Sequence, residues 1–297
     1  MCAARMHADE VETDACLVRT LIAAQFPQWR DLPVEPVESA GADNAMYRLG
    51  TDLVVRLPRL AGAAANVDAE QRWLPRLAPL LPVDVPVPLG QGSPGGGSPW
   101  DWSVCRWLDG TNPVVTQLAD PGLLARDLAA FITALRRIDP ADGPAASRGV
   151  PLARRDRPTR AALGQLHGII DTDAATMIWQ DALRLPQPSV PAVWVHGDLS
   201  PGNVLLTDGR LSAVIDFGGV GVGDPTVDLI VAWNLLPASA RTDFRQLLQV
   251  DDVTWKRGRG WALSISLIQL PYYRETNPVL AASSRHVISE VLADIGS

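Results

Sequence analysis

Two short stretches decide the fold: residues 196–203 read His-Gly-Asp-Leu-Ser-Pro-Gly-Asn, and residues 215–218 read Ile-Asp-Phe-Gly. Between them lie two short apolar segments on either side of a Thr-Asp-Gly-Arg turn at 207–210. An Asp-Gly pair between two such segments is a strong signal for a β-hairpin. The sequence therefore predicts a hairpin that brings Asn203 close to Asp216.

The polar residues at the ends of this hairpin suit one kind of chemistry. A carboxylate and an amide oxygen facing one pocket suit Mg²⁺, which prefers oxygen ligands and keeps waters and substrate phosphates in its shell. Asn203 and Asp216 are thus candidate metal ligands. Asp198, five positions before Asn203, can accept a proton from a hydroxyl beside that metal. Together these groups are what phosphoryl transfer requires.

The pattern His-x-Asp-x₄-Asn followed by Asp-Phe-Gly resembles the catalytic and metal signature of the kinase fold. Its flanking residues resemble the aminoglycoside phosphotransferase family of small-molecule kinases: HGDLSPGN with Gly197 in second position, then IDFGGVGVGDPTVDL, with Asp224-Pro225 and Asp228 close behind. The activation segment and Ala-Pro-Glu stretch of a protein kinase are absent from the sequence. The resemblance spans roughly residues 34–270.

This resemblance implies an α+β, bilobal, protein-kinase-like fold. A small antiparallel β-sheet N-lobe with one helix would be followed by a larger, mainly helical C-lobe. It also implies a role for each motif residue. Asp198 would be the general base and Asn203 and Asp216 the Mg²⁺ ligands, whereas His196 and Asp228 would brace the catalytic loop.

The upstream lobe should hold the nucleotide, and its cation is unusual. Kinase folds place a strand lysine on the phosphates, paired with a glutamate of the next helix, but the only lysine of this chain is Lys256. Arg56 stands in the lysine position, and Glu70 is its expected partner. Asn44 closes a turn that resembles the phosphate-covering turn but holds one glycine rather than three.

The stretch 102–110 resembles the hinge that connects the two lobes in this family. The resemblance implies that the backbone carbonyl of Arg106 and the N–H of Leu108 meet the base of the nucleotide. Because these are backbone contacts, side chains there do not separate ATP from GTP. Cys105 is predicted to be a buried packing residue.

The acceptor is the least determined part of the prediction. Family membership implies a hydroxyl on a small molecule, bound between the catalytic loop and the late helices. A net charge of −7 is compatible with a polycationic aminoglycoside, yet a macrolide sugar, a nucleoside or a less cationic antibiotic is nearly as plausible. The candidate acceptor residues are Asp173, Trp233, Asn234, Tyr272, Tyr273, Arg274 and Glu275.

Periodicity predicts the remaining elements. An N-terminal lobe at 1–108, with a leading helical segment at 1–30 and a hinge near 105–110, is followed by a lobe at 109–297 that contains the catalytic loop 196–203 and the metal motif 216–218. The predicted strands are Val34–Ser39, Ala45–Leu49, Leu53–Leu57, Val83–Leu89, Trp102–Trp107, Val193–Val195, Val204–Leu206 and Leu211–Ile215. The predicted helices are Ala61–Leu80, with a break or kink near Pro75, Leu123–Ile138, two within 156–185, and 226–236, 239–249, 252–270 and 278–294.

Composition excludes several other classes of protein. The 26 basic and 33 acidic residues disfavour a nucleic-acid-coating protein, which needs a basic face. Three scattered cysteines cannot form a disulfide framework, and a single lysine outside any Gly-Lys-Ser/Thr context excludes a P-loop. No apolar run reaches the roughly 18–20 residues of a membrane span. We therefore expect a cytoplasmic protein without a membrane or nucleic-acid partner, as a monomer or homodimer.

The sequence thus predicts a Mg²⁺-dependent kinase that moves the γ-phosphate of ATP or GTP to a hydroxyl of an antibiotic, an aminoglycoside or another class, and so gives resistance by inactivation. Two alternatives stay open. One is a metabolic kinase for a sugar, nucleoside or amino alcohol. The other is a catalytically silent nucleotide-binding module, suggested by the missing strand lysine and the glycine-poor turn.

Overall fold

The computed structural model describes residues 10–37, 43–186 and 191–294. These residues form two compact units. The first unit contains the described residues up to Leu80, together with Asp84–Gly110 and Ala213–Gly218; the second contains Leu81–Val83, Thr111–Ser212 and the described residues from Gly219 onward.

A five-stranded antiparallel sheet forms the centre of the first unit. Its strands, in the spatial order β1-β2-β3-β5-β4, are β1 Val34–Pro36, β2 Asn44–Leu49, β3 Leu53–Pro58, β4 Pro88–Gly92 and β5 Trp102–Arg106. The middle strand β3 is buried from Val54 to Pro58, because it is covered on both faces. The small antiparallel sheet that the sequence predicts is therefore confirmed.

Two helices accompany this sheet, α1 Ala15–Gln25 and α2 Ala61–Leu77. The carboxylate of Asp14 caps α1 by accepting a hydrogen bond from the Leu17 N–H at 2.7 Å. The apolar face of α1 then packs on the sheet, where Val18, Leu21 and Ile22 share one core with Trp102.

Pro75 falls in the last turn of α2, which ends at Leu77 and tightens into a 3₁₀ turn at Ala78–Leu80. The predicted interruption is therefore the end of the α-helix, as expected for a residue that lacks an N–H donor.

The second unit is mainly helical. Its helices are α3 Pro121–Arg136, α4 Asp156–Gln165, α5 Thr172–Arg184, α6 Val231–Asn234, α7 Ala238–Leu247, α8 Asp252–Tyr273 and α9 Pro278–Ala293. The long helix α8 packs against α4, α5 and α9, and its residues from Gly260 to Leu267 are all buried. The predicted pair of helices within 156–185 is confirmed. In the part of the chain that the structure describes, no helix is long and apolar enough to cross a membrane.

Four short strands surround the two motifs: β6 Val193–Val195, β7 Val204–Thr207, β8 Arg210–Val214 and β9 Gly221–Gly223. The turn between β7 and β8 has positive φ at Asp208 (51°) and Gly209 (77°), as the type I′ hairpin turn requires. The predicted hairpin is therefore confirmed.

Two predicted elements are wrong in part, and one strand was missed. The strand predicted over 83–89 begins only at Pro88, because Pro86 and Pro88 have no N–H to donate to a ladder. The helix predicted over 226–236 starts as a 3₁₀ turn at Pro225–Ile230, whose side chains are all buried, so packing rather than periodicity sets its geometry. The strand β9 was not predicted.

Strand β9 pairs with β6 on one side and with the segment 144–149 on the other. Val222 accepts the Ala146 N–H at 3.1 Å and donates its own N–H to the Pro144 carbonyl at 2.7 Å. A Cβ added at Gly221 would lie 2.6 Å from the Ala146 nitrogen and 2.7 Å from the Pro144 oxygen. The glycines of this stretch are therefore required by close backbone approach.

We expect Gly221→Ala to destabilise the protein by about 1–3 kcal/mol, because the atoms it would contact are backbone and cannot move aside. Thermal unfolding should show a lower Tm. Gly164→Ala is the matched control: nothing lies within 4 Å of its Cβ position in α4, so it should leave Tm unchanged or raise it. Equal melting temperatures for Gly221→Ala and the wild type would contradict this packing.

Candidate active site

The loop that follows β6 is held by one buried carboxylate. Asp228, which is fully buried, accepts the His196 N–H at 2.9 Å and the Gly197 N–H at 2.8 Å. Gly197 has a φ of +81°, a conformation that favours glycine. The loop conformation is thus fixed at its first two residues by hydrogen bonds from a side chain 31 to 32 positions away.

Several groups compensate the negative charge of the Asp228 carboxylate. Burial raises the pKa of Asp228, while His196, the two backbone N–H donors and Arg136 act in the opposite direction. Arg136 itself donates to the Pro225 carbonyl at 2.7 Å. This environment supports the bracing role predicted for Asp228.

Asp198 lies two residues further along this loop, and its side chain is 35% exposed. Its backbone N–H donates to Nδ1 of the buried His196 at 3.2 Å, so this imidazole orients the loop from inside. Its Oδ1 accepts a hydrogen bond from Arg148, which also donates to the Gly197 carbonyl at 3.3 Å. Sequence reasoning missed Arg148, because it lies 50 positions upstream with no motif spacing.

The side chain of Asn203 is oriented by its own loop. Its Nδ2 donates to the Asp198 carbonyl at 2.8 Å, which leaves Oδ1 without a hydrogen-bond partner among the described residues. Two other amides hold the same loop: Asn112 donates to the carbonyls of Pro201 and Gly202, both at 3.1 Å, and Asn234 donates to that of Leu199 at 2.7 Å.

Two of the acceptor candidates, Trp233 and Asn234, are buried in the structure. Trp233 is fully buried, donates its indole N–H to Asp294 at 3.1 Å and packs against Trp255. Asn234 is 9% exposed and its amide supports the catalytic loop. Both lie on the buried helix α6, so their side chains do not face solvent where a substrate would arrive.

The other acceptor candidates lie on the surface. Asp173 is exposed in the first turn of α5. At the C-terminal end of α8, Tyr272 is 59% exposed and meets the Tyr273 ring edge-on at 4.7 Å. Arg274 and Glu275 follow as an exposed ion pair at 3.1 Å. Their part in substrate binding stays a prediction.

In the first unit, the predicted Arg56–Glu70 pair is present. Arg56 lies on the middle strand β3, and its two terminal nitrogens meet the two carboxylate oxygens of Glu70 at 2.7 and 3.2 Å. The residues are only 8% and 2% exposed. Burial alone would lower the pKa of Arg56, but the charges of Glu70, Cys105 and Asp216 and the hydrogen bonds to Glu70 together outweigh it, so the pKa lies above its ordinary value.

Asp216 belongs to this same unit, where its charge also raises the pKa of Arg56. The sequence placed the 216–218 motif in the C-terminal lobe. Its place in the first unit follows from local contacts: the Val214 N–H donates to the Asp84 carbonyl at 3.0 Å, and a Cβ on Gly218 would lie 2.7 Å from the Asn66 side chain.

The backbone of Asp216 is unusual for a non-glycine residue, with a φ of 63°. Such conformations concentrate at functional sites, because other contacts must hold them in place. Its half-exposed carboxylate makes no hydrogen bond or ion pair with the described residues. This carboxylate is therefore available to a ligand.

The predicted hinge residues fall at the end of β5. Cys105 is fully buried, and burial raises the pKa of its thiol, which confirms a packing residue. The Trp107 N–H donates to the Asp52 carbonyl at 2.7 Å, whereas the Leu108 N–H has no partner among the described residues. The side chain of Arg106 is exposed.

The predicted phosphate-covering turn is described only in part. Asn44 begins β2 opposite Pro58, whereas residues 41 and 42 of the turn lie outside the described residues.

A strand cation paired with a helix glutamate, a braced loop bearing an aspartate and an asparagine, and an Asp-Phe-Gly motif define the class of kinase-fold phosphotransferases. Residues 34–261 match the sequence profile of the phosphotransferase enzyme family, and the chain belongs to that family.

Individual relatives are more distant. An aminoglycoside 3'-phosphotransferase of Escherichia coli is 33% identical over 78 aligned residues, which cover 23% of this chain and 29% of the relative. The chain thus matches less than a third of that relative's length.

Solved structures share the fold over nearly the whole chain. The GDP and kanamycin complex of the aminoglycoside phosphotransferase APH(2") type III has a TM-score of 0.74 at 21% identity, covering 93% of this chain and 98% of that one. The macrolide 2'-phosphotransferase of Brachybacterium faecium has a TM-score of 0.63 at 21% identity, covering 93% and 97%.

We expect Asp228→Asn to lower kcat about 10- to 100-fold. An amide has one oxygen, so it cannot accept hydrogen bonds from both loop N–H groups without turning its NH₂ toward one of them. The loop should then shift, and small displacements of catalytic groups lower the rate by this much. The KM for nucleotide should change much less. Asp120→Asn, which keeps an N-cap acceptor for α3, is the control for the same exchange at a surface cap. An unchanged kcat in Asp228→Asn would show that the loop does not depend on this carboxylate.

Proposed function

We propose that this protein transfers the terminal phosphate of a nucleoside triphosphate to a hydroxyl of a small molecule, with Asp198 as the general base. The observation that carries this proposal is the braced loop: Asp228 fixes the backbone while the Asp198 carboxylate stays accessible to solvent. A general base must reach the proton that it accepts, and a fixed loop holds it in one position.

The nucleotide would be bound by the first unit. Arg56 presents a guanidinium that is charged and held in one orientation by Glu70, which suits contact with phosphate oxygens. The free Leu108 N–H and the Arg106 carbonyl would meet the base, and Asn44 would lie at the phosphates. Either ATP or GTP fits these backbone contacts.

Asn203 and Asp216 both carry oxygen donors that suit a divalent cation. Asn203 has its Oδ1 and Asp216 its carboxylate without protein partners among the described residues, and Mg²⁺ prefers such ligands. No group of three or more His, Cys, Asp or Glu side chains that could hold a metal ion, as a structural zinc site needs, occurs within the described chain. When bound, Mg²⁺ would neutralise charge on the transferred phosphate.

The acceptor would be an antibiotic if this chain acts as its named relatives do, and phosphorylation would then inactivate the drug. A metabolic kinase is the second candidate. It is favoured by Arg148, because this cation binds the Asp198 carboxylate and so offsets a negative charge that would attract a polycationic aminoglycoside.

The experiment that tests the proposal is a screen for phosphate incorporation, run with ATP and with GTP. The acceptors are aminoglycosides, macrolides, peptide antibiotics and nucleoside antibiotics, together with sugars, nucleosides and amino alcohols. A product with any class of antibiotic supports an antibiotic kinase. Products only with sugars, nucleosides or amino alcohols would support the metabolic role.

Asp198→Asn should lower phosphate transfer about 10²- to 10⁴-fold, the usual contribution of a general base. Release of nucleoside diphosphate in the presence of acceptor measures this loss. Asp208→Asn is the matched control, because it makes the same exchange in the exposed hairpin turn, where asparagine tolerates a φ of 51°. Nucleotide binding without transfer by either the wild type or the variant would instead identify a silent nucleotide-binding module.

Arg56→Ala should raise the KM for nucleotide about tenfold or more, since it removes a charge-assisted contact to phosphate. Arg59→Ala, which removes an arginine paired with Glu10, should have much less effect on nucleotide KM. Because Arg56→Ala also removes the cation that pairs with the buried Glu70 carboxylate, Arg56→Lys serves as the folded comparison and should restore most of the nucleotide use. Equal effects of Arg56→Ala and Arg59→Ala would contradict the nucleotide role.

A further inference from the structure

One segment of this acidic chain is strongly basic. Residues 148–160 contain five arginines and one aspartate, a net charge of +4, within a chain of net charge −7. Three of these arginines, Arg154, Arg157 and Arg160, are exposed. Arg148 and Arg155 are half-buried, and Arg148 contacts the catalytic loop.

The guanidinium of Arg155 is held in a built site. Its Nε donates to the buried Ser264 hydroxyl at 2.8 Å, and this hydroxyl lies 2.7 Å from that of Thr159. The guanidinium lies over the ring of the buried Trp261, 5.1 Å from its centroid. The two remaining nitrogens of Arg155 have no hydrogen-bond or ion-pair partner among the described residues.

Arg148 brings the catalytic base next to this site. One of its terminal nitrogens binds the Asp198 carboxylate and the Gly197 carbonyl, and its other nitrogens have no partner among the described residues. Arg148 is also close to Arg155. Burial, and then the positive charge of Arg148, lower the pKa of Arg155 to about 10, so Arg155 is charged at neutral pH.

Partial burial of two neighbouring cations costs free energy unless an anion binds to them. Asp198 compensates Arg148, but within the described chain no carboxylate compensates Arg155. Guanidinium groups with free nitrogens match the paired oxygens of carboxylates and phosphates. The unfilled donors therefore call for an oxyanion close to the catalytic base.

We propose that Arg155 and Arg148 together bind a carboxylate or phosphate group of the acceptor, so that the acceptor is an anionic, hydroxylated small molecule. This inference rests on the proposed function, because it takes Asp198 as the base for the acceptor hydroxyl. Arg148 then positions the acceptor: it holds the anionic group with its free nitrogens while it remains in contact with Asp198. The carboxylate of Asp198 has two oxygens and can accept from Arg148 and from the hydroxyl at once.

The first test needs no turnover. Inorganic phosphate is titrated into the full chain with saturating Mg²⁺–ADP, which occupies the nucleotide site, and thermal unfolding is followed. Phosphate should raise the Tm of the wild type and of Arg154→Gln, an exposed neighbour whose side chain makes no hydrogen bond to described residues. Arg155→Gln should lose this shift and Arg155→Lys should keep part of it. Equal shifts in the wild type and Arg155→Gln would overturn the proposal.

The second test compares acceptors that share one scaffold but differ in charge: glucose, glucuronate and glucose 6-phosphate, with kanamycin as the cationic acceptor. An anionic acceptor should be preferred, and the glucuronate and glucose 6-phosphate arms separate a carboxylate from a phosphate. For any anionic acceptor that is phosphorylated, Arg155→Gln should raise KM at least about tenfold with a smaller change in kcat, as loss of one charged hydrogen bond predicts.

The two tests separate the failure of this inference from the failure of the proposed function. Phosphorylation of kanamycin with the same KM in wild type and Arg155→Gln would keep the kinase and overturn the anionic acceptor. A raised KM for nucleotide in Arg155→Gln would also overturn it, because the arginines would then bind the donor. If no acceptor is phosphorylated, the kinase fails, and the phosphate titration alone decides whether the arginines bind an oxyanion.

Discussion

The catalytic loop of the second unit depends on one buried carboxylate, which accepts hydrogen bonds from two backbone N–H groups. A charged side chain at Asp228 is costly to bury, and its cost is offset because Arg136 lies near and both N–H donors point at it. In return, the loop from His196 onward has one conformation. The amide side chains of Asn112 and Asn234 then hold its later residues. Asp198 can therefore stay half-exposed without becoming loosely positioned.

The first unit is organised by a second buried ionic contact. Arg56 occupies the middle strand of the sheet, where a single unpaired cation would be strongly destabilising, and Glu70 neutralises it through two hydrogen bonds. Arginine suits this position because its planar head group meets a carboxylate with two parallel bonds. A chain with one lysine thus retains a fixed cation where kinase folds need one. A guanidinium differs from the ammonium group of lysine in geometry, because it donates its hydrogen bonds in one plane.

Much of this could be predicted from the sequence, because the information is local. The spacing of Asp198 and Asn203 and the Asp-Gly turn at 208–209 depend on neighbouring residues only. The contribution of Arg148 could not be predicted, since it meets Asp198 across 50 positions of chain that show no motif. The burial of Trp233 could not be predicted for a related reason. An apolar run next to a motif does not reveal whether it faces a substrate or the core, and here α6 is buried on all sides.

The residues that hold the catalytic loop and most of the residues that set the charge around it lie in different parts of the chain. The braced loop and the Arg56–Glu70 pair are held by buried, charged hydrogen bonds, so they tolerate little change. In the segment 148–160, Arg148 binds the Asp198 carboxylate, and four further arginines make the segment basic. In this chain it places a rigid, uncompensated guanidinium beside an arginine that already contacts Asp198. Charge at that position repels cations and attracts anions before any shape complementarity acts, because electrostatic forces have the longer range. On the proposed function, these two arginines would therefore select the acceptor by its charge.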